Sequence, residues 1–109
     1  MDPKQPETAV RHEKYDRLIA RCQSLPPTPT AVAHPCDESS LRGTMDAARA
    51  GLIKPILVGP RARIEAVAGQ HGIDLAGIEI VDAPHSEAAA AAAVALVREG
   101  RAEALMKGS

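Results

Sequence analysis

Reactive and charged side chains follow short apolar runs at several points in this sequence. His34 and Cys36 come after one such run, Arg61 after a second, and the pair Lys107-Gly108 after the last. These residue types could do three kinds of chemistry. His34 could act as a general base, Cys36 as a nucleophile, and Arg61 and Lys107 could bind an anion such as phosphate.

Ordinary structural roles compete with each of these assignments. Cys36 could be a small buried residue, His34 a hydrogen-bonded residue at a strand end, and Arg61 a solvated charge at a helix start. Lys107 and Gly108 are harder to assign to structure alone, because they place a charge beside an approachable backbone. Three further residues are of types that cap helices or lie in solvent: Asp37, Arg63 and His85.

Several well-defined site motifs are missing from the sequence. There is no G-x-x-x-x-G-K-[ST] and no G-x-G-x-x-G, so neither a P-loop nor a standard dinucleotide-binding turn is indicated. No residues have the spacing of a zinc site. His12-Glu13 begins like a zinc-protease motif, but Asp16 stands where the second histidine is required. We therefore expect no bound metal.

The elements that must position the candidate residues follow from the apolar spacing. A first helix is predicted over residues 8–24, where Tyr15, Leu18, Ile19 and Cys22 fall on one face. The prolines at 26, 27 and 29 end it. Strands are then predicted at about 30–34, 54–59, 78–82 and 103–107, each pair separated by one helix. Those helices start near Asp37, Pro60 and Ser86 and stop at Gly51, Gly72 and Gly100.

This alternation predicts an α/β fold, a three-layer sandwich with a mostly parallel sheet. The strands are apolar throughout, as expected when helices cover both faces. Ligands of such sheets bind outside the carboxyl ends of the strands, and helix N-termini there favour anions. His34, Arg61, Lys107 and Gly108 are therefore predicted to share that edge as substrate-binding residues. The alanine run 88–93 is predicted to be a helix packed tightly on the sheet.

Composition limits the classes of function. The 109 residues fit one small domain, which we place at 8–109 behind a disordered lead at 1–7. A net charge of −1 and a single aromatic residue argue against nucleic-acid binding. No apolar run is long enough to cross a membrane, and the polar start is unlike a secretory signal. With only two cysteines, the cytoplasm is the expected compartment.

Three stretches resemble the amino-terminal part of the phosphate acetyltransferase and phosphate butyryltransferase family. They are residues 31–37 (AVAHPCD), 50–59 (AGLIKPILVG) and 104–108 (ALMKG), and the resemblance covers about residues 14–109. The form fused to an enoyl-CoA hydratase domain is the most similar. The resemblance implies transfer of an acetyl or short acyl group between coenzyme A and inorganic phosphate. It also implies that the only partners needed are these small-molecule substrates, with no cofactor beyond the coenzyme A thioester.

Members of that family are several times longer and work in a cleft between two domains. We therefore expect this chain to be an incomplete, amino-terminal portion of a two-domain acyltransferase, inactive alone, with the catalytic residues downstream of Ser109. Only Lys107 and Gly108 match a motif that faces the family's cleft. The alternative is a non-catalytic α/β module for binding or self-association. An open sheet edge and uncovered apolar surface also predict a homo-oligomer. The acyl chain length is not indicated.

Overall fold

A computed structural model describes residues 26–108 of the chain. The strands are β1 (Thr28–Ala33), β2 (Ile53–Gly59), β3 (Glu79–Asp82) and β4 (Ala104–Lys107). The helices are α1 (Glu38–Arg49), α2 (Arg61–Gln70) and α3 (Ser86–Arg98). The predicted lead at 1–7 and the predicted helix at 8–24 lie outside the described residues, so both stay predictions.

The four strands form one parallel sheet in the order β3-β2-β1-β4. In its centre, Ala31 is level with Ile56 of β2 on one side and with Leu105 of β4 on the other. Helices α1 and α2 pack on one face of the sheet, and α3 packs on the opposite face. The predicted three-layer α/β sandwich with a parallel sheet is therefore confirmed.

Alanines are most of the buried residues in the core between α3 and the sheet. Ala89 and Ala93 of α3 are fully buried against a layer that contains Ala31 and Ala33 of β1. Alanine is the strongest helix former, and its short side chain lets a helix lie close to a sheet. The predicted role of the alanine run is confirmed.

Larger aliphatic residues form the core on the other face. Val32 and Leu57, which point away from α3, pack with Leu41 of α1 and Ile64 of α2, and all four are at most 1% exposed. Because successive strand residues point to opposite faces, β1 and β2 supply both cores at once. These two central strands therefore bury side chains on both faces, as the sequence predicted.

The helix boundaries have local causes. The Asp37 carboxylate accepts a hydrogen bond from the Ser40 N–H at 2.8 Å and caps α1, as predicted. Gly51 follows α1 with φ +76°, and Gly100 follows α3 with φ +79°, a left-handed conformation that glycine adopts without steric cost. These two glycines let the chain leave each helix and return to the sheet.

Two of the boundaries that differ from the sequence prediction involve prolines. Strand β1 starts at Thr28 and therefore contains Pro29. A proline near a strand start is tolerated because its carbonyl still accepts a hydrogen bond, here from the Glu103 N–H at 2.8 Å. Pro60 is the N-cap of α2 and not its first helical residue. The fixed φ of proline suits both the N-cap and the first helical position, so the sequence alone does not distinguish between these two positions.

The expectation that every strand is buried on both faces is wrong for the two edge strands. Within the described range, β3 and β4 contain only exposed and half-buried residues. Each of these edge strands pairs with one neighbour only. Among residues 26–108, no helix is long and apolar enough to span a lipid bilayer.

Candidate functional site

The sheet reverses its winding between β1 and β4. From β1 the chain moves through β2 to β3 with α1 and α2 on one face, and then returns through α3 on the other face to β4. At such a reversal the loops after two adjacent strands diverge and leave a crevice at their carboxyl ends. Here the switch point lies between the ends of β1 and β4, beside Ala33 and Lys107, and we call the described surface at this point the β1–β4 crevice.

The segment after β1 forms a tight turn that two backbone hydrogen bonds fix in place. The His34 N–H donates to the Val58 carbonyl at 2.7 Å, and the Cys36 N–H donates to the His34 carbonyl at 2.9 Å. His34 has φ +56°, the only positive value among the described non-glycine residues. That conformation is uncommon for a residue with a Cβ, and residues held in it cluster at active sites and ligand clamps. Pro35 inside the turn is fully buried.

The end of β4 packs directly on this turn. The Gly108 N–H donates to the Ala33 carbonyl at 2.7 Å. A Cβ added to Gly108 would lie 2.5 Å from the His34 carbonyl oxygen and 2.7 Å from the Pro35 Cα. No residue other than glycine fits there without a backbone shift. His34, Lys107 and Gly108 therefore meet in one place.

Lys107 is exposed at the mouth of this crevice and lies level with Ala33 in the register of β1 and β4. Between α3 and β4, an apolar groove of about 130 Å³ leads up to it. The groove is lined by Ala33, His34, Ser86, Ala90, Val94, Leu105, Met106 and Lys107. Sequence analysis missed this groove because it treated β4 as a buried strand.

Arg61 lies at the same sheet edge but is bound to β3. Its N–H donates to an Asp82 carboxylate oxygen at 2.9 Å, and its guanidinium donates to the Ile80 carbonyl at 2.7 Å. Glu65 is 3.9 Å from the same guanidinium. The structure thus does not bring Arg61 together with His34 and Lys107. Its role in substrate binding stays a prediction.

The helix N-termini at this edge are each capped by a side chain. Asp37 caps α1, Asp82 accepts the first N–H of α2, and the Nδ1 of His85 accepts the Ala88 N–H of α3 at 3.1 Å. Hydrogen bonds from Ser40 hold the pKa of Asp37 below its usual range. An incoming anion would therefore compete with existing partners at these N-termini, whereas Lys107 lies beside the crevice as an exposed cation.

Cys36 faces the core and not the crevice mouth. It is 4% exposed and belongs to the cluster beneath α1 and α2. Burial raises the pKa of its thiol, which Arg63 partly offsets. A protonated, buried thiol is a poor nucleophile, so the structure favours the packing role for Cys36. Among residues 26–108 no group of three or more His, Cys, Asp or Glu residues is arranged to hold a metal ion.

Curated proteins match most of this chain. A phosphate acetyltransferase of Rhizobium meliloti is 64% identical over 96 residues, which cover 88% of this chain and 30% of the relative. A phosphate acetyltransferase of Rickettsia typhi is 41% identical over 103 residues, 94% of this chain and 29% of the relative. A phosphate butyryltransferase of Clostridium beijerinckii is 34% identical over 96 residues, 88% of this chain and 32% of the relative.

The resemblance stated from the sequence is therefore confirmed over most of the chain. The chain spans about 30% of the length of these relatives. No family model matches it.

Proposed function

We propose that this chain forms one part of a phosphate acyltransferase, which moves an acetyl or short acyl group between coenzyme A and inorganic phosphate. The observation that carries the proposal is the meeting of His34, Lys107 and Gly108 at the β1–β4 crevice, in a chain whose relatives are named for this reaction. The cytoplasm is proposed as the compartment because the sequence has only two cysteines and a polar start. A reducing cytoplasm would keep coenzyme A as the free thiol that the reaction needs.

The reaction sets clear tasks for the site. In the direction of thioester synthesis, the coenzyme A thiolate attacks the acyl carbonyl carbon and forms a C–S bond. The tetrahedral intermediate then expels phosphate, which leaves with the electrons of the C–O bond. The protein must remove the thiol proton, stabilise the oxyanion and hold two anionic substrates. No cofactor is part of this proposal.

The residues of this chain fit the substrate-binding task. The Lys107 ammonium can form a charge-assisted hydrogen bond to a phosphate oxygen. Gly108 lets the backbone approach closely, and the strained turn at His34 fixes the crevice wall. Because the chain spans about 30% of its relatives, we place the groups that carry out proton transfer and oxyanion stabilisation in the remainder of the enzyme.

The experiment is a chimaera. The stretch of the Rhizobium meliloti phosphate acetyltransferase that matches this chain is replaced by the chain itself. We expect the chimaera to form acyl phosphate from acyl-CoA and phosphate with kcat/KM within about tenfold of the parent, because a hydrophobic core of matched pattern tolerates substitution. The 109-residue chain alone should show no turnover, since it cannot position both substrates against a second domain.

The control is a chimaera that carries an unrelated α/β segment of similar length, which should be inactive. A folded chimaera with no turnover would contradict the proposal. Such a result would favour the alternative of a non-catalytic binding or self-association module.

A further inference from the structure

His85 is the N-cap of α3, and its imidazole is the acceptor for the first turn of that helix. Its backbone is extended, with φ −154° and ψ 176°, and its Nδ1 accepts a hydrogen bond from the Ala88 N–H at 3.1 Å. The His85 carbonyl accepts from the Ala89 N–H at 2.9 Å. The side chain therefore satisfies an N–H group that has no partner within the helix.

An imidazole can accept this hydrogen bond in only one of its protonation states. In the neutral ring one nitrogen carries the proton and the other accepts, whereas both nitrogens of the imidazolium are donors. The bond to the Ala88 N–H therefore requires a neutral His85 that carries its proton on Nε2. The cap and the proton on Nδ1 exclude each other.

The other two helix N-termini at this edge are capped by carboxylates. Asp37 accepts from the Ser40 N–H three residues ahead, the same spacing as in α3, and Asp82 accepts from the Arg61 N–H. Hydrogen bonds from Ser40 lower the pKa of Asp37, so this carboxylate stays an acceptor at neutral and mildly acidic pH. Among the three helices in residues 26–108, α3 is the one whose cap is a group that changes charge between about pH 5 and 8.

The charged and titratable groups around this N-terminus come from several elements. Glu87 is in the first turn of α3, and Asp82 ends β3. His34 and Lys107 line the groove at the first residue of the helix. The two carboxylates attract an imidazolium and the lysine repels one, but no carboxylate among residues 26–108 forms an ion pair with His85. A protonated His85 therefore has no ion pair that replaces the lost hydrogen bond.

We propose that His85 makes the N-terminus of α3 a pH-sensitive cap, closed while the imidazole is neutral and open once it is protonated. Protonation removes the acceptor of the Ala88 N–H and places a positive charge at the positive end of the helix dipole. The stabilisation by the cap is therefore present at about pH 8 and is lost by about pH 5, since histidine changes its charge between these values. The opening is confined to the first turn, because Ala89 and Ala93 are fully buried against the sheet. This proposal concerns the fold of α3 and does not depend on the proposed reaction.

The first test is a nuclear magnetic resonance titration of the 109-residue chain from about pH 8 to pH 5. We expect the Ala88 amide shift to change with the same midpoint as the ring signals of His85. The hydrogen-exchange protection of the Ala88 N–H should fall by about 2- to 30-fold, the factor that corresponds to the loss of an N-cap. The Ser40 N–H, which Asp37 caps, should keep its protection. An Ala88 amide that does not follow His85, or an equal loss of protection at Ser40, would overturn the proposal.

The second test compares the unchanged chain with His85→Asn in urea unfolding. Asparagine offers a side-chain oxygen that caps helices and does not titrate. Because the two chains share every other titrating group, the ratio of their unfolding equilibrium constants isolates the cap. The unchanged chain should become about 2- to 30-fold easier to unfold, relative to the variant, when the pH falls from about 8 to 5.

His71→Asn is the matched control. His71 is the C-cap of α2, and its Nδ1 is 3.5 Å from a carboxylate oxygen of Glu38, so a positive charge there is favourable. The same fall in pH should make the unchanged chain harder to unfold relative to this variant. A shift in the same direction for both histidines, or no shift for His85→Asn, would show that the cap of α3 does not respond to pH.

Discussion

In the chimaera described above, Lys107→Ala is expected to lower kcat/KM by about 10- to 100-fold. A hydrogen bond to a charged group contributes about 1.5–3 kcal/mol, and each 1.4 kcal/mol corresponds to a factor of ten. The loss should be largest for phosphate and acyl phosphate, the substrates that would contact the ammonium directly. Steady-state kinetics with each substrate varied in turn measure it. Lys107→Arg should retain more activity, because it keeps the charge at the crevice.

Lys54→Ala is the matched control. Lys54 is the other lysine among the described residues, it is exposed, and it lies at the start of β2, at the opposite end of the sheet from the crevice. We expect its removal to change kcat/KM by about twofold or less. If both alanine variants lowered kcat/KM equally, Lys107 would act only through the net charge of the protein, and its assignment to the substrate site would be wrong.

The second large effect is expected from Gly108→Ala. The new Cβ would lie 2.5 Å from the His34 carbonyl oxygen and 2.7 Å from the Pro35 Cα. Both are backbone atoms, so the end of β4 must move away from the His34 turn. A displacement of about 1 Å at a reacting centre can cost about 100-fold in rate. We expect a loss of that order in kcat/KM, together with a destabilisation of about 1–3 kcal/mol from overpacking.

Gly43→Ala and Gly69→Ala are the controls for this substitution. Both glycines lie within helices, and an added Cβ would meet nothing within 4 Å. Alanine there should stabilise the protein by about 0.5–1 kcal/mol and leave kcat/KM unchanged. Urea unfolding measures the stability of each variant. Full activity of Gly108→Ala would show that the close approach at His34 has no functional role.

The order of elements was predictable from the sequence because each has its own local signal. Asp37 caps a helix, Gly51 and Gly100 end helices, and the alanine run has no strong alternative to a helix. One helix between successive strands then favours parallel pairing. These local signals are enough to predict alternating helices and parallel strands. They do not predict the order of the strands across the sheet.

The details of the site depend on that spatial order. Since β4 pairs with β1 and not with β3, the end of β4 lies on the His34 turn, and Gly108 becomes a contact residue. Arg61 shares the sheet edge, yet Asp82 and the Ile80 carbonyl hold it beside β3. The exposure of Leu105 likewise follows from the edge position of β4. Each of these features depends on contacts between residues that are far apart in the sequence. The spacing of apolar residues therefore could not predict them.

The β1–β4 crevice is where we propose that this chain holds its substrate. The most direct test is to titrate the isotope-labelled 109-residue chain with acetyl phosphate, and separately with coenzyme A, to concentrations on the order of millimolar, the range of weak binding. We expect the amide shifts to change most at His34, Lys107 and Gly108. Changes centred on Lys54 and Arg101 at the opposite edge of the sheet, or no changes at all, would contradict the account.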